Sequence, residues 1–363
     1  MDYTLSQLFK TLVEQGASDL HISSGSPPRL RIDGSIVPLN LPQLTAKDAQ
    51  ELCYSVLTEQ QKKKFESDKE LDFSFSVKNL SRFRANLYYK ANSVAAAFRV
   101  VPYKLFSIQE LGLPPVVTRL CHKQRGLILV TGPTGSGKST TLASMINFIN
   151  ENRYCHIVTI EDPIEFIHAH KNSIINQREV GGDTHSFSKA LKSVLRQDPD
   201  IIMVGEMRDL ETISAALTLA ETGHLVFGTL HTNSSIASIN RLIDAFPPHQ
   251  QAQIRTQLAM TLEAVISQTL IVSNRGGRCL ALEIMVKNNA ISALINEGKI
   301  NQIYSSMQSG QSESGMLTMN QSLANLVARR IINKEIALSY SRQPDELQDL
   351  IISAASKKSP PRR

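Results

Sequence analysis

Between residues 127 and 140 the chain reads LILVTGPTGSGKST, an apolar strand-like run that opens into Gly132, Gly135 and Gly137 and closes on Lys138, Ser139 and Thr140. The spacing satisfies G-x-x-x-x-G-K-[ST], and the helix-like TLASMINFINEN follows, so strand, glycine loop and helix stand in the order a phosphate-binding loop needs. Glycines let backbone N–H groups wrap phosphate oxygens, a lysine placed like Lys138 reaches the β/γ oxygens, and a hydroxyl placed like Ser139 completes a Mg²⁺ shell. Gly132, Pro133, Thr134, Gly135, Ser136, Gly137, Lys138, Ser139 and Thr140 are therefore the nucleotide-binding candidates, and the ligand class is a nucleoside triphosphate with Mg²⁺.

Around this segment, from 125 to about 286, short apolar runs alternate with helical patterns, which predicts an α/β fold with a mostly parallel sheet covered on both faces. The strand candidates are 127–131, 156–160, 201–204, 225–230 and 279–286. Ligands of such sheets sit outside the carboxyl ends of the strands. There the sequence places Glu161, Asp162, Pro163 and Glu165 after one strand, Gly205 and Glu206 after the next and His231 after the third. ATP hydrolysis needs carboxylates to support Mg²⁺ and a water aligned with the γ-phosphate, and Glu161 and Glu206 suit those two tasks. His231, at a carboxyl end, is a candidate for sensing phosphate or joining a water network, whereas His224 at the other end of the same run fits a structural hydrogen bond as well as a functional one.

The first hundred residues read as mixed α and β. Leu5, Leu8, Phe9 and Leu12 fall at helical spacing, SDLHIS and RLRIDGSIVPL alternate as strands around Pro27-Pro28, a helix-like stretch covers 45–66, and DFSFSV, SRFRANLYYK and SVAAAFRVVP form a strand series. A hairpin turning at Ala91-Asn92 sets Arg84 directly opposite Arg99, a like-charge pair that needs an anion nearby, either a local acid or a nucleotide phosphate on a neighbouring subunit. The expected organisation is a domain at 1–102, a connector at 103–115 carrying Gly112, Pro114 and Pro115, an ATPase domain at 116–288, a helical region at 289–355 and a disordered tail at 356–363.

With 363 residues, 42% hydrophobic and 20% charged, the chain can bury two cores. A net charge of +6 without a block of like charges argues only weakly for an acidic partner, and the lack of tryptophan or of a basic stretch interleaved with aromatics argues against nucleic acid. No apolar run approaches the roughly 18 residues a membrane span needs, and MDYTLSQLFK lacks a basic segment followed by an apolar core, so the expectation is a cytoplasmic protein that at most touches a membrane complex. Cys53, Cys121, Cys155 and Cys279 are widely spaced, form no C-x-x-C pair and are expected as buried thiols.

Taken together, GPTGSGKST at 132–140, TIEDPIEFIH at 159–168, LRQDPDIIMVGEMRD at 195–209 and AETGHLVFGTLHTNS at 220–234 make the chain resemble the PilT-like type IV pilus retraction ATPases, within the type II/IV secretion hexameric ATPases. SDLHIS at 18–23 and QREVG at 177–181 share in the resemblance, which runs over most of the chain. It implies a PAS-like α+β N-terminal domain joined to a RecA-like P-loop ATPase domain, a homo-hexamer peripheral to the cytoplasmic face of the inner membrane, and a platform protein there as partner. By the same resemblance Lys138 and Ser139 bind phosphate and Mg²⁺, Glu161 polarises the attacking water, Glu206 supports the Mg²⁺ through water, and Arg84 and Arg99 cover the phosphates. Assembly and export members of the group carry an extra N-terminal domain and often a four-cysteine insert, neither of which this sequence has, so the resemblance implies retraction. One segment departs: the family signature resembles AIRNLIRE, and here AISALINEG from Ala290 puts Ser292 and Asn296 where arginines are expected, while GMLTMNQSL at 315–323 keeps only part of its pattern. That departure leaves open an accessory paralogue acting with another retraction ATPase, beside an assembly or type II secretion motor.

Overall fold

The computed structural model describes residues 3–32, 34–78, 80–101, 105–309 and 314–356, with 354–356 described by backbone alone. The chain divides into two compact units, one made of Met1–Lys104 with two short segments, Pro163–Ile167 and Gly181–Asp183, the other of Leu105–Asp162, His168–Val180 and Thr184–Arg363.

The first unit begins with α1 (Leu5–Glu14), opened by a capping box between Thr4 and Gln7, and buries the same four apolar residues whose spacing predicts it. Its sheet runs in the order β3-β2-β1-β6-β5-β4. The strands are β1 (Asp19–Ile22), β2 (Arg29–Ile32), β3 (Ser35–Pro38), β4 (Glu70–Val77), β5 (Ser81–Lys90) and β6 (Ser93–Val101), and every pairing is antiparallel. The stretch at 45–66 is two helices rather than one, α2 (Ala46–Tyr54) and α3 (Glu59–Asp68), because Thr58 and Gln61 form a second capping box that starts the chain afresh. Ala91 and Asn92 take φ of 45° and 61°, the left-handed pair that a two-residue hairpin turn requires. The resulting register places Arg84 across from Arg99. Phe9 stacks on Phe83 with centroids 4.3 Å apart and meets Phe98 edge-on at 5.1 Å, so helix and sheet share one core.

The second unit holds a seven-stranded sheet in the order β13-β12-β7-β11-β10-β8-β9. In chain order its elements are α4 (Pro115–Cys121), β7 (Gly126–Thr131), α5 (Lys138–Asn152), β8 (His156–Glu161), β9 (Ile174–Glu179), α6 (Phe187–Val194), β10 (Ile201–Val204), α7 (Leu210–Glu221), β11 (Leu225–Leu230), α8 (Ser235–Asp244), α9 (Gln251–Thr261), β12 (Leu262–Val272) and β13 (Arg278–Val286). All neighbours are parallel except β12 with β13. Alternation along each strand feeds two cores: Leu127, Leu129, Ile202, Val204 and Val226 pack into one, and Ile128, Val130, Ile201, Met203 and Phe227 into the other. Both faces are therefore covered, which is why these strands read as unbroken apolar runs. Two strands escape the sequence pattern. β9 is a half-polar edge strand, INQRE after its first residue, and β12 follows α9 without a turn signal.

Beyond the sheet come α10 (Asn289–Asn296), α11 (Ile303–Ser309), α12 (Met319–Ala328), α13 (Lys334–Tyr340) and α14 (Pro344–Ser356), of which the last three share a small core with Ile271 and Ala281. Positions 102–104 at the expected domain end and connector, and 357–363 of the expected tail, lie outside the described residues. Cys53 and Cys121 are buried, but Cys155 and Cys279 are only partly so, a correction to the expectation of four buried thiols. Among the described residues no helix is long and apolar enough to cross a membrane.

Candidate nucleotide site

β7, β11, β10 and β8 are consecutive neighbours in the sheet, and their carboxyl ends form one rim. Backbone bonds continue past the ends of the strands and hold that rim together. The N–H of Gly132 donates to the Leu230 carbonyl (3.3 Å), Met207 to Thr229 (3.1 Å), Gly205 to Ile160 (2.8 Å) and Val180 to Glu161 (2.8 Å). The order from the phosphate loop outward is thus Lys138 and Ser139, His231, Glu206, Glu161. At about 4.8 Å per strand, roughly 14 Å separates the first strand axis from the last.

The loop after β7 leads into α5, whose N-cap is Gly137 at φ 89° with no side-chain cap, so the first-turn N–H groups of a fifteen-residue helix are left for a ligand or water. Gly132 is there because nothing larger fits: a Cβ would lie 2.3 Å from the Gln268 carbonyl and 2.5 Å from Ser136 Oγ. β12 braces the loop, Gln268 Nε2 donating to the Ser136 carbonyl at 2.8 Å, and Thr131 and Ser267 share a hydrogen bond of 2.8 Å at its root. Ser136 Oγ is buried without a partner among the described residues. Lys138 Nζ donates to the carbonyls of Gly132 (2.7 Å) and Pro133 (3.1 Å), which keeps the ammonium inside the loop it is expected to serve. Gln268 is not legible in the sequence, because β12 is not; the one signal is the polar Ser-Gln pair inside an apolar run.

The two carboxylates differ sharply in setting. Glu206 receives Arg208 on both oxygens, Nε at 2.6 Å to Oε1 and the second guanidinium nitrogen at 2.6 Å to Oε2, while His231 Nε2 lies 3.1 Å from Oε1. The hydrogen bonds and charge of Arg208, opposed by partial burial and aided by His231, hold the Glu206 carboxyl below its ordinary range. Glu161 is 7% exposed, and Thr159 Oγ1 (2.6 Å) and Gln177 Nε2 (3.1 Å) both donate to its Oε1. Gln177 is fixed in turn by the backbone N–H of His168, which donates to its Oε1 at 2.8 Å. His168 is itself buried, its Nδ1 without a partner among the described residues, and burial, helped by nearby Lys171, pushes its pKa down to about 4. His224 takes the structural part open to it: its Nδ1 lies 3.1 Å from the Leu219 carbonyl and 3.2 Å from Thr222 Oγ1 at the end of α7.

The expected rim residues of the second unit, Lys138, Ser139, Glu161, Glu206 and His231, are thus brought to neighbouring strand ends. Arg84 and Arg99 belong to the first unit. There Arg99 Nε pairs with Asp19 Oδ1 at 2.8 Å, the local acid that the like-charge pair needs, whereas Arg84 has no ion pair or hydrogen bond among the described residues. Burial works to raise the Asp19 pKa, but the Ser18 hydroxyl and the Arg99 guanidinium outweigh it and hold the carboxyl low. Ser292 and Asn296, at the departing signature, are used in packing α10 on α9: Ser292 Oγ donates to the Ala259 carbonyl (3.1 Å), and Thr256 Oγ1 donates to Asn296 Oδ1 (2.8 Å). Among the described residues no three His, Cys, Asp or Glu side chains converge as a protein-only metal cage requires. A Mg²⁺ shared with phosphates and water needs only one or two protein oxygens, which Ser139 and Glu206 can supply.

A family model described as type II/IV secretion system protein matches residues 2–357. A relative from Pseudomonas aeruginosa, described as type IV pilus retractation ATPase PilT, is 50% identical over 341 residues, covering 94% of this chain and 99% of its own length. A twitching motility protein of Neisseria gonorrhoeae is 47% identical over 346 residues, covering 95% and 92%. The crystal structure of the pilus retraction motor PilT with bound ADP matches at a TM-score of 0.91 and 51% identity, over 96% of this chain and 100% of that one. A phosphate loop at the carboxyl end of β7, acids at the ends of β8 and β10 and a likeness that runs almost end to end agree: the chain belongs to the type II/IV secretion system protein family.

Proposed function

We propose that this chain is an ATP-hydrolysing motor that powers type IV pilus retraction and twitching motility. The observation that carries the reading is the single rim on which four adjacent strands set Lys138, His231, Glu206 and Glu161, in a chain 50% identical along 94% of its length to a pilus retraction ATPase. In this reading the loop 132–137 and the N-terminus of α5 hold the phosphates, and Lys138 trades its two loop carbonyls for β/γ oxygens. Ser139, and Glu206 through water, hold a Mg²⁺ that neutralises phosphate charge. Glu161 polarises the attacking water, and His231, bound to Glu206, senses whether the γ-phosphate is present. Arg84 and Arg99 are assigned to cover phosphates on a neighbouring subunit of a homo-hexamer. The lack of a partner among the described residues supports Arg84 in that task, while the Asp19 pair makes Arg99 the weaker candidate. The motor would act at the cytoplasmic face of the inner membrane on a platform protein of the pilus.

The test is twofold. Purified chain should hydrolyse ATP with a rate per subunit that rises as hexamers form, and Lys138→Ala should lose nucleotide binding and turnover together. Cells lacking the protein should keep surface pili but stop twitching. Loss of the pili themselves would assign the work to assembly instead. The neutral packing of Ser292 and Asn296, where the family signature has arginines, favours a second reading, an accessory paralogue that binds nucleotide within another ATPase's ring. Normal twitching when this chain alone is present would discard it.

A further inference from the structure

Strand geometry gathers three polar side chains of β8 and β9 at one place. Thr159 and Glu161 are two residues apart on β8 and so face the same side of the sheet. Gln177 on β9 is the register partner of Thr159. Both side chains deliver their hydrogen to the same oxygen, Oε1 of Glu161, at 2.6 and 3.1 Å. The amide of Gln177 cannot be turned over without loss, since its own oxygen accepts the His168 N–H at 2.8 Å. A carboxylate's terminal torsion is soft and broadly populated. Two donors on one oxygen, each anchored to a strand, remove that freedom and set the plane of the carboxyl group.

We infer that Gln177, seconded by Thr159, is a positioning residue for the hydrolytic reaction: it fixes the carboxylate plane from which Glu161 polarises its water. The inference rests on the role proposed for Glu161. A group that acts on water in line with a phosphoryl centre depends on orientation, and a misplacement of an ångström costs about a hundredfold in rate. Satisfying a buried carboxylate would by itself explain the two bonds as structure, so the test must separate geometry from stability. The separating quantity is the dependence of the Gln177 effect on an intact Glu161.

The experiment measures single-turnover ATP hydrolysis and ATP affinity of the full chain, with melting temperature on the same samples, for Gln177→Ala, Glu161→Gln and the double variant. Gln177→Ala is expected to slow hydrolysis by about 10–100-fold while ATP affinity is unchanged, and to slow it no further in the Glu161→Gln background. If Gln177→Ala leaves the rate unchanged, or lowers it by the same factor in both backgrounds, Gln177 is structural and the inference falls. Wild-type turnover by Glu161→Gln would instead overturn the role of Glu161 on which it rests. Should Gln177→Ala fail to fold, Thr159→Val, which keeps the shape of a fully buried side chain and removes the other donor, runs the same cycle: a slowing that needs Glu161 supports the inference, and an unchanged or background-independent rate overturns it.

Discussion

The β8–β9 end of the rim and the β10–β11 end each present a glutamate, yet they solve the problem of holding it in opposite ways. Glu206 is clasped by a guanidinium on both oxygens and touched by an imidazole, with 21% of its side chain exposed. Glu161 is buried, and Thr159 and Gln177, both uncharged, donate to one of its oxygens, with Gln177 held in turn by the backbone N–H of His168. Cations around a carboxylate stabilise its charge and lower its proton affinity, which suits a group that must stay ionised beside a metal. Neutral donors orient a carboxylate while leaving its negative charge available to a water. These contacts fit the different tasks proposed for the two glutamates, the logic by which paired acids divide their work.

The largest effect should come from the buried side. Glu161→Gln keeps the size and loses the charge, so turnover should fall by about 10²–10⁴-fold with ATP affinity retained; a rate within a fewfold of wild type would erase the distinction. An intermediate effect belongs to His168. The unfolded chain takes up a proton at the ordinary histidine pKa of 6.5, whereas folded His168 refuses it until about 4, so stability is lost as pH falls through that window. Between pH 7 and pH 5 this one group should cost on the order of 2 kcal/mol, and thermal melts of His168→Gln should show the acid loss reduced by that amount. Parallel melting curves for variant and wild type would mean that folded His168 takes up its proton as readily as the unfolded chain does. Smallest is Arg208→Ala, since Arg208 is 71% exposed and such pairs contribute less than about 1 kcal/mol. Because Glu206 has a lowered pKa when folded, that contribution is present above the usual carboxylate range and fades as pH drops below it, so the difference in melting temperature should shrink under acid. A gap that widened there would reverse the sign.

What the sequence discloses and what it hides follow from the same physics. Strands buried on both faces, such as Ile201–Val204 and Leu225–Leu230, announce themselves as apolar runs, and the residues just past them follow from chain order alone. The Ala91-Asn92 turn dictates a hairpin register because a two-residue loop leaves no freedom in pairing. β9 stays hidden because this edge strand buries only two of its six residues, and Gln177 is hidden with it. Arg208 sits two residues beyond Glu206, and nothing in linear spacing says that a guanidinium will fold back on a near neighbour. Asp19 and Arg99 lie eighty positions apart in sequence and meet only because β1 pairs with β6, which no local pattern encodes.

The division of labour proposed for the two glutamates is tested most directly by the rate of ATP hydrolysis as a function of Mg²⁺ concentration for wild type, Glu161→Gln and Glu206→Gln. Glu206→Gln is predicted to shift the half-saturating Mg²⁺ upward by about 10–100-fold, as loss of an outer-shell support does, and to recover part of its rate at high Mg²⁺. Glu161→Gln should keep the wild-type Mg²⁺ dependence and stay slow at every concentration. Superimposable Mg²⁺ curves for the two variants would contradict that division.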